Sequence, residues 1–208
     1  MQLIVGTGST WSLRVWLCAT MANLELDPQV IDLSNPESKQ QLAQLSPSAL
    51  VPVLRDGNLA VHDSLAIVEY LNEQSGGALY PQDQSQRAIA RSLCNEMHSG
   101  FFTLRSQCSF TLDSVPPADL SNQALRLEIE RVTAIFSQAE LPFMFARPGA
   151  VDAFYAVLAY RLNSYGIRLE GKAGRYQTGL LDWALMQSGI EQMRQWESSA
   201  DLRSRHSH

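Results

Sequence analysis

Cysteine is scarce in this 208-residue chain: three residues, at positions 18, 94 and 108, with no Cys-x-x-Cys pair. An odd, scattered set of thiols supports neither a disulfide framework nor a zinc cage, so no metal is expected and the thiols read as reduced, buried and cytoplasmic. Long apolar runs are also missing. Nothing approaches the roughly 18 residues that a membrane span needs, and Met1–Gly6 is too short to be a signal-peptide core, so no membrane partner is expected. Positive charge is not in excess either. Sixteen Lys and Arg against 21 Asp and Glu leave a net charge of −5, which gives no electrostatic footing for nucleic acid. What remains, 45% hydrophobic and 18% charged, is an ordinary globular composition with enough chain for one large or two small domains.

The first 80 residues alternate in type. Leu3-Ile4-Val5 reads as a strand, and residues 11–21 have helical spacing through Leu13, Trp16 and Leu17. Val30-Ile31-Asp32-Leu33 reads as a second strand, and a short polar helix follows to about Leu45, with Asn35 as N-cap and Pro36 in first position. Residues 51–55 and 58–61 flank Asp56-Gly57, a strong two-residue hairpin signal. From Asp63, the spacing of Leu65, Ile67, Val68 and Leu71 gives a helix that ends at Gly76-Gly77. Beyond Tyr80-Pro81 the pattern becomes helical throughout, with helices expected near 85–112, 120–138, 150–165, 176–187 and 189–199. A boundary at about 78–84 thus divides an α/β domain (residues 1–79) from an all-helical one (85–200), and the polar tail 201–208 is expected to be flexible.

The stretch Gly6-Thr7-Gly8-Ser9-Thr10-Trp11-Ser12 lies between strand and helix. A dinucleotide fingerprint would need a third glycine for close packing of helix on strand, where this chain has Trp11. The alternative uses the helix start itself. Its first turn has unpaired N–H groups and partial positive charge, so a hydroxyl there can favour a thiolate over a thiol. Ser9, Thr10 and Ser12 are the candidate donors. Simple helix capping by Ser9 or Thr10 accounts for the same residues.

Two further landmarks have the same double character. Val51-Pro52 stands at a strand entrance, where a proline cannot donate to the ladder. A cis bond there would leave the Val51 N–H and C=O free for an extended peptide to pair with as an added strand; a trans proline on an edge strand is the plain alternative. Asp63-Ser64 opens a helix and can either cap it or grip a carboxylate.

Taken together, the hydroxyl-rich helix start, the Val-Pro strand entry, the Asp-Ser helix start and the helical second half resemble the glutathione transferase family over nearly the whole chain. Residues 9–14 resemble the S-S-x-S-x-R run of its serine-type, zeta-like members, and Glu96-Met97-His98-Ser99-Gly100-Phe101 resembles bacterial members of that branch. Asp152-Ala153-Phe154 resembles the family helix that opens with a capping box.

The resemblance implies a fold, a reaction and a site. The fold is a thioredoxin-like α/β domain followed by an all-α domain. The reaction is glutathione transfer to a small hydrophobic electrophile, a detoxification chemistry, in a cytoplasmic homodimer. Ser9 would stabilise the glutathione thiolate, with Thr10 or Ser12 as secondary donors. Val51 would pair with the cysteinyl unit beside cis-Pro52, and Asp63 and Ser64 would hold the γ-glutamyl end. Trp11, Met97, His98, Phe101 and Arg105 would line the electrophile pocket, positions 97, 101 and 105 sharing one helix face. A non-catalytic binding protein and a zeta-like glutathione-dependent isomerase are the alternatives.

Three positions depart from the family pattern. Leu50 stands where many relatives place a polar or basic side chain for the glycine carboxylate, so Lys39 or Gln40 would have to substitute. Trp11 replaces the cysteine of zeta isomerases, and Gly149 replaces the usual capping-box hydroxyl.

Overall fold

A computed structural model describes residues 1–46 and 48–205, without the side chains of 201–205. It contains two compact units, one of Met1–Leu79 with the stretch from Ser188 onward, the other of Tyr80–Gln187.

The first unit is a four-stranded sheet with helices on both faces. In chain order it runs β1 (Gln2–Gly6), α1 (Thr10–Met21), β2 (Asp27–Ile31), α2 (Ser38–Leu45), β3 (Val53–Asp56), β4 (Leu59–His62) and α3 (Ser64–Gln74). The strand order is β2-β1-β3-β4, with β1 parallel to β2 and antiparallel to β3, and β3 antiparallel to β4. Ile4, Ile31 and Val53 form a buried cluster with Leu42 of α2 on one face. The intervening residues Leu3, Val5 and Leu54, fully buried, point to the other face, as strand alternation requires. Helices α1 and α3 pack against each other. The hairpin expected at Asp56-Gly57 is present: Asp56 pairs with Leu59, and Gly57 takes the left-handed φ of +56°.

The pairing has one consequence for everything that follows. The ends of β1, β2 and β4 and the start of β3 all lie at the same end of the sheet.

Several boundaries differ from the sequence expectation. The second strand occupies 27–31 rather than 30–33, because Asp32 turns the chain by accepting from the Ser34 N–H and Oγ–H at 2.9 and 2.7 Å. Pro28 is accommodated because β2 is an edge strand. Asn35 does not cap α2. Its Oδ1 accepts from the Glu37 N–H at 2.9 Å in a local turn, and the helix begins at Ser38.

The second unit holds α4 (Gln84–Ser99), α5 (Phe102–Gln107), α6 (Gln123–Phe136), α7 (Ala150–Ser164) and α8 (Gly171–Asp182), and α9 (Ala184–Arg205) starts in it. Helix α7 is buried on nearly every side from Ala150 to Leu162, with α4 and α8 packed on it. Phe136 meets Tyr155 and Tyr176 edge-on, at 5.7 and 4.9 Å between ring centroids.

The single helix expected over 85–112 is two helices. The chain leaves α4 at Gly100, where a Cβ would sit 2.7 Å from the Glu96 carbonyl oxygen, and turns through Phe101 at a left-handed φ of +58°. The apolar spacing continues across this break, which is why periodicity alone does not show it. The last two helices start about five residues earlier than expected, at Gly171 and Ala184, separated by an extended Trp183. Gly171 and Gly174 weaken the helical signal at the first of these starts. Of the tail over 201–208, residues 201–205 continue α9, and 206–208 lie outside the described residues. No helix among the described residues is long and apolar enough to cross a membrane.

Candidate active site at one end of the sheet

The end of β1 and the start of α1 are laced together by two hydroxyls. Gly8 makes the turn at a φ of +64°, and the Ser9 N–H closes it on the Gly6 carbonyl at 3.1 Å. Ser9 is the N-cap of α1, its Oγ accepting from the Ser12 N–H at 3.3 Å. Ser12 Oγ in turn accepts from the Gly6 N–H at 3.3 Å and is fully buried. The capping account of Ser9 is therefore physically present. It is compatible with a second role, because a hydroxyl that accepts one bond still has its own proton to donate. Ser12 is fixed within the protein by its bond to β1, and Thr10 occupies the first helical position, 7% exposed.

Val51–Pro52 is a cis peptide immediately before β3. Among the described residues the Val51 N–H and C=O take no partner. That leaves one donor and one acceptor presented at the sheet end, the pair an added extended peptide uses.

Helix α3 starts at the far side of the same sheet end. Asp63, at a φ of +74°, is its N-cap, with Oδ1 accepting from the Leu65 and Ala66 N–H groups at 2.8 and 3.3 Å. Ser64 is buried, and its Oγ has no hydrogen-bond partner among the described residues. A buried hydroxyl without a partner is costly, by about 1–3 kcal/mol, and a ligand carboxylate at this helix start would supply one.

Sequence reading missed part of the surroundings. The Arg14 guanidinium, itself buried, lies 4.6 Å from the Trp11 ring centre in a cation–π stack. The three-residue spacing on α1 was the available signal. On the β2 side, Thr7 Oγ1 accepts from the Leu33 N–H at 3.0 Å, and hydrogen bonds from Ser34, supplemented by Thr7, hold the Asp32 carboxyl below its usual range.

The remaining predicted pocket residues belong to the second unit. Met97 is fully buried on α4, His98 is half-buried in its last turn, and Phe101 is buried at the break. Arg105 is on α5, so the shared helix face expected for positions 97, 101 and 105 does not exist. Its Nη2 donates to the Met97 and His98 carbonyls at 2.7 and 2.8 Å, closing the end of α4. Burial lowers its pKa, partly offset by Glu128. Glu128 and Arg161 clamp α5 itself, the first accepting from the Thr103 and Leu104 N–H groups, the second donating to the Arg105 and Cys108 carbonyls.

The fold and this site define a class: a thioredoxin-like α/β domain, with hydroxyls at two helix starts and a cis-proline between them, followed by a helical domain. Residues 8–74 match the model of the glutathione S-transferase N-terminal domain. Over 129 residues the chain is 30% identical to a probable maleylacetoacetate isomerase of Caenorhabditis elegans, and over 108 residues 32% identical to glutathione S-transferase 1 of Dianthus caryophyllus. These matches take in 61% and 51% of the chain, which spans 60% and 49% of the lengths of those relatives. In fold it resembles a glutathione transferase homolog from Burkholderia gl BGR1 crystallised with bound glutathione, with a TM-score of 0.70 and 22% identity. That likeness covers 93% of this chain and 97% of the other. The first domain is thus that of a glutathione S-transferase over residues 8–74, and the fold of the whole chain is similar to that of glutathione transferases.

Proposed function

We propose that this protein binds glutathione along the sheet end and ionises its thiol for attack on a small hydrophobic electrophile. The observation that carries the reading is the order of groups across that end: Ser9 after β1, the unpaired Val51 backbone before β3, and Ser64 after β4. Ser64 and the first N–H groups of α3 receive the γ-glutamyl carboxylate, and Asp63 orients its ammonium. The Val51 N–H and C=O pair with the cysteinyl unit. The Ser9 hydroxyl, at the positive end of α1, donates to the thiolate. A hydrogen bond together with a helix start can lower a thiol's pKa by roughly one to three units from about 8.5, enough to make much of it thiolate near neutral pH. Nucleophile activation and proximity supply the rest. A cytoplasmic homodimer is part of this reading.

A second reading, glutathione-dependent isomerisation, is favoured by the maleylacetoacetate isomerases among the similar sequences. Trp11 at the helix start counts against it. Turnover of maleylacetoacetate, compared with that of a chloronitroarene, separates the two.

Calorimetric titration with glutathione tests the shared step. Binding that weakens at least tenfold in Ser64→Ala, about 1.4 kcal/mol, supports the site. No binding up to about 10 mM, less than roughly 3 kcal/mol of affinity, overturns it.

A further inference from the structure

The sheet end has a fourth position that the proposed function leaves unused. With the order β2-β1-β3-β4, a ligand anchored at Ser64 after β4 and paired at Val51 before β3 runs on toward the loop that follows β2. That loop carries Asp32 and Leu33. A Cβ built on Gly6 would touch Leu33 Cδ1 at 2.5 Å and Val51 Cγ2 at 2.9 Å, so these side chains converge over the end of β1. The C-terminal end of a bound tripeptide therefore meets Leu33, Val51 and the neighbour of Val51, Leu50.

This end of the site is apolar and acidic. Leu50 is 66% exposed and Leu33 41%, so both present apolar surface at this end. The loop holds Leu50 in place: Ser46 Oγ accepts from the Leu50 N–H at 3.4 Å, and the Ser46 carbonyl accepts from the Ala49 N–H at 3.1 Å. The charged group beside Leu33 is a carboxylate, Asp32, kept ionised by Ser34. Of the nearby cations, Arg55 turns inward to donate to the Leu45 carbonyl at 3.0 Å, and Lys39 is exposed on α2 with no ion pair among the described residues. A free glycine carboxylate placed against these leucines loses water to apolar surface, with the Asp32 carboxylate on the same loop as Leu33, and Lys39 is the cation whose contribution the test has to separate.

Resting on the glutathione reading above, we propose that Leu33 and Leu50 select a γ-glutamylcysteinyl thiol whose C-terminal end is uncharged, such as an amide or ester of glutathione. The two leucines cover an apolar or neutral group at this end, and Asp32 disfavours an anionic one.

The test is a calorimetric comparison of glutathione with its glycyl monoethyl ester on the full chain and on Leu50→Lys. The wild-type protein is expected to bind the ester at least as tightly as glutathione. Leu50→Lys is expected to raise glutathione affinity about tenfold, the size of one charge-assisted contact, and ester affinity less than about twofold. A wild-type preference for glutathione of tenfold or more overturns the proposal, including the case in which Lys39→Ala abolishes that preference. Failure of both thiols to bind overturns the glutathione reading itself. Binding of both, with glutathione strongly preferred, overturns only the selectivity.

Discussion

Tyr176 Oη donates to Asp152 Oδ1 over 2.7 Å in the interior of the helical unit. The same carboxyl accepts from the Met144 N–H at 2.8 Å and, through Oδ2, from the Gly149 N–H at 2.9 Å, so half of a capping box persists although Gly149 has no hydroxyl. Burial outweighs these bonds and pushes the Asp152 pKa up to about 6. An acid whose folded pKa is raised binds more protons folded than unfolded between about pH 4 and 6, so its contribution to stability falls as pH rises through that window. About two units correspond to about 3 kcal/mol. The Tyr176 hydroxyl can reverse its bond and accept the acid proton when Asp152 is neutral. Asp152→Asn does not titrate, so the stability advantage of wild type over this variant is expected to shrink between pH 4 and pH 7 in urea unfolding. A constant gap would mean that Asp152 stays ionised throughout.

Ser9 caps α1, and the proposed function gives it a second, separable duty as donor to a thiolate. Ser9→Ala loses both, with about 1 kcal/mol of stability from the cap. Ser9→Gly keeps most of the capping, at a cost of only a few tenths of a kcal/mol. Equal losses of kcat/KM in the two variants, of about tenfold or more, are expected if the hydroxyl acts on the thiol. Activity that survives in Ser9→Gly and falls in Ser9→Ala would assign Ser9 to the fold alone.

Much of the sheet domain was legible in the sequence, because its signals are local: the Asp56-Gly57 turn, the apolar runs of β1 and β3, the capping residues at Ser9 and Asp63. The helix starts at Ser9 and Asp63 and the strand entry at Val51-Pro52 were legible for the same reason, whereas the shared face expected for 97, 101 and 105 was not there. What the sequence hid were tertiary matters. Phe101 at positive φ interrupts a continuous apolar pattern, and nothing short of the packing around Gly100 announces it. Asn35 had every mark of an N-cap, yet its side chain closed a turn two residues earlier. The Leu50 departure could be read from the chain, but its exposure and the approach of Leu33 to Val51 over Gly6 depend on the fold.

Ala49, in the loop that presents Leu50, has a φ of +53° and lies between a carbonyl and a hydroxyl bond to Ser46. The left-handed region costs an alanine about 1–2 kcal/mol, part of which glycine gives back through its freer unfolded chain. Ala49→Gly is therefore expected to stabilise the protein by about 0.5–1 kcal/mol, a rise in Tm of roughly 1–4 °C for a chain of this size. An unchanged or lower Tm in thermal unfolding would contradict the left-handed geometry.

Gly6 tests whether Leu33 and Val51 form one surface. A methyl group at position 6 would lie 2.5 Å from Leu33 Cδ1 and 2.9 Å from Val51 Cγ2, well inside contact distance. Leu33 is partly exposed and can swing outward at modest cost; Val51 is half-buried beside the cis-proline and has less room. Gly6→Ala is therefore expected to destabilise by about 1–2 kcal/mol, in the range for added core volume, and to weaken glutathione binding by shifting Val51. Leu33→Ala removes the first clash, so the double variant should recover part of both losses, with a favourable coupling of about 0.5–1 kcal/mol in a double-mutant cycle. Strict additivity in stability and in affinity would show that Leu33 does not pack over position 6, and would count against the wall that the proposed selection at the C-terminal end of the thiol needs.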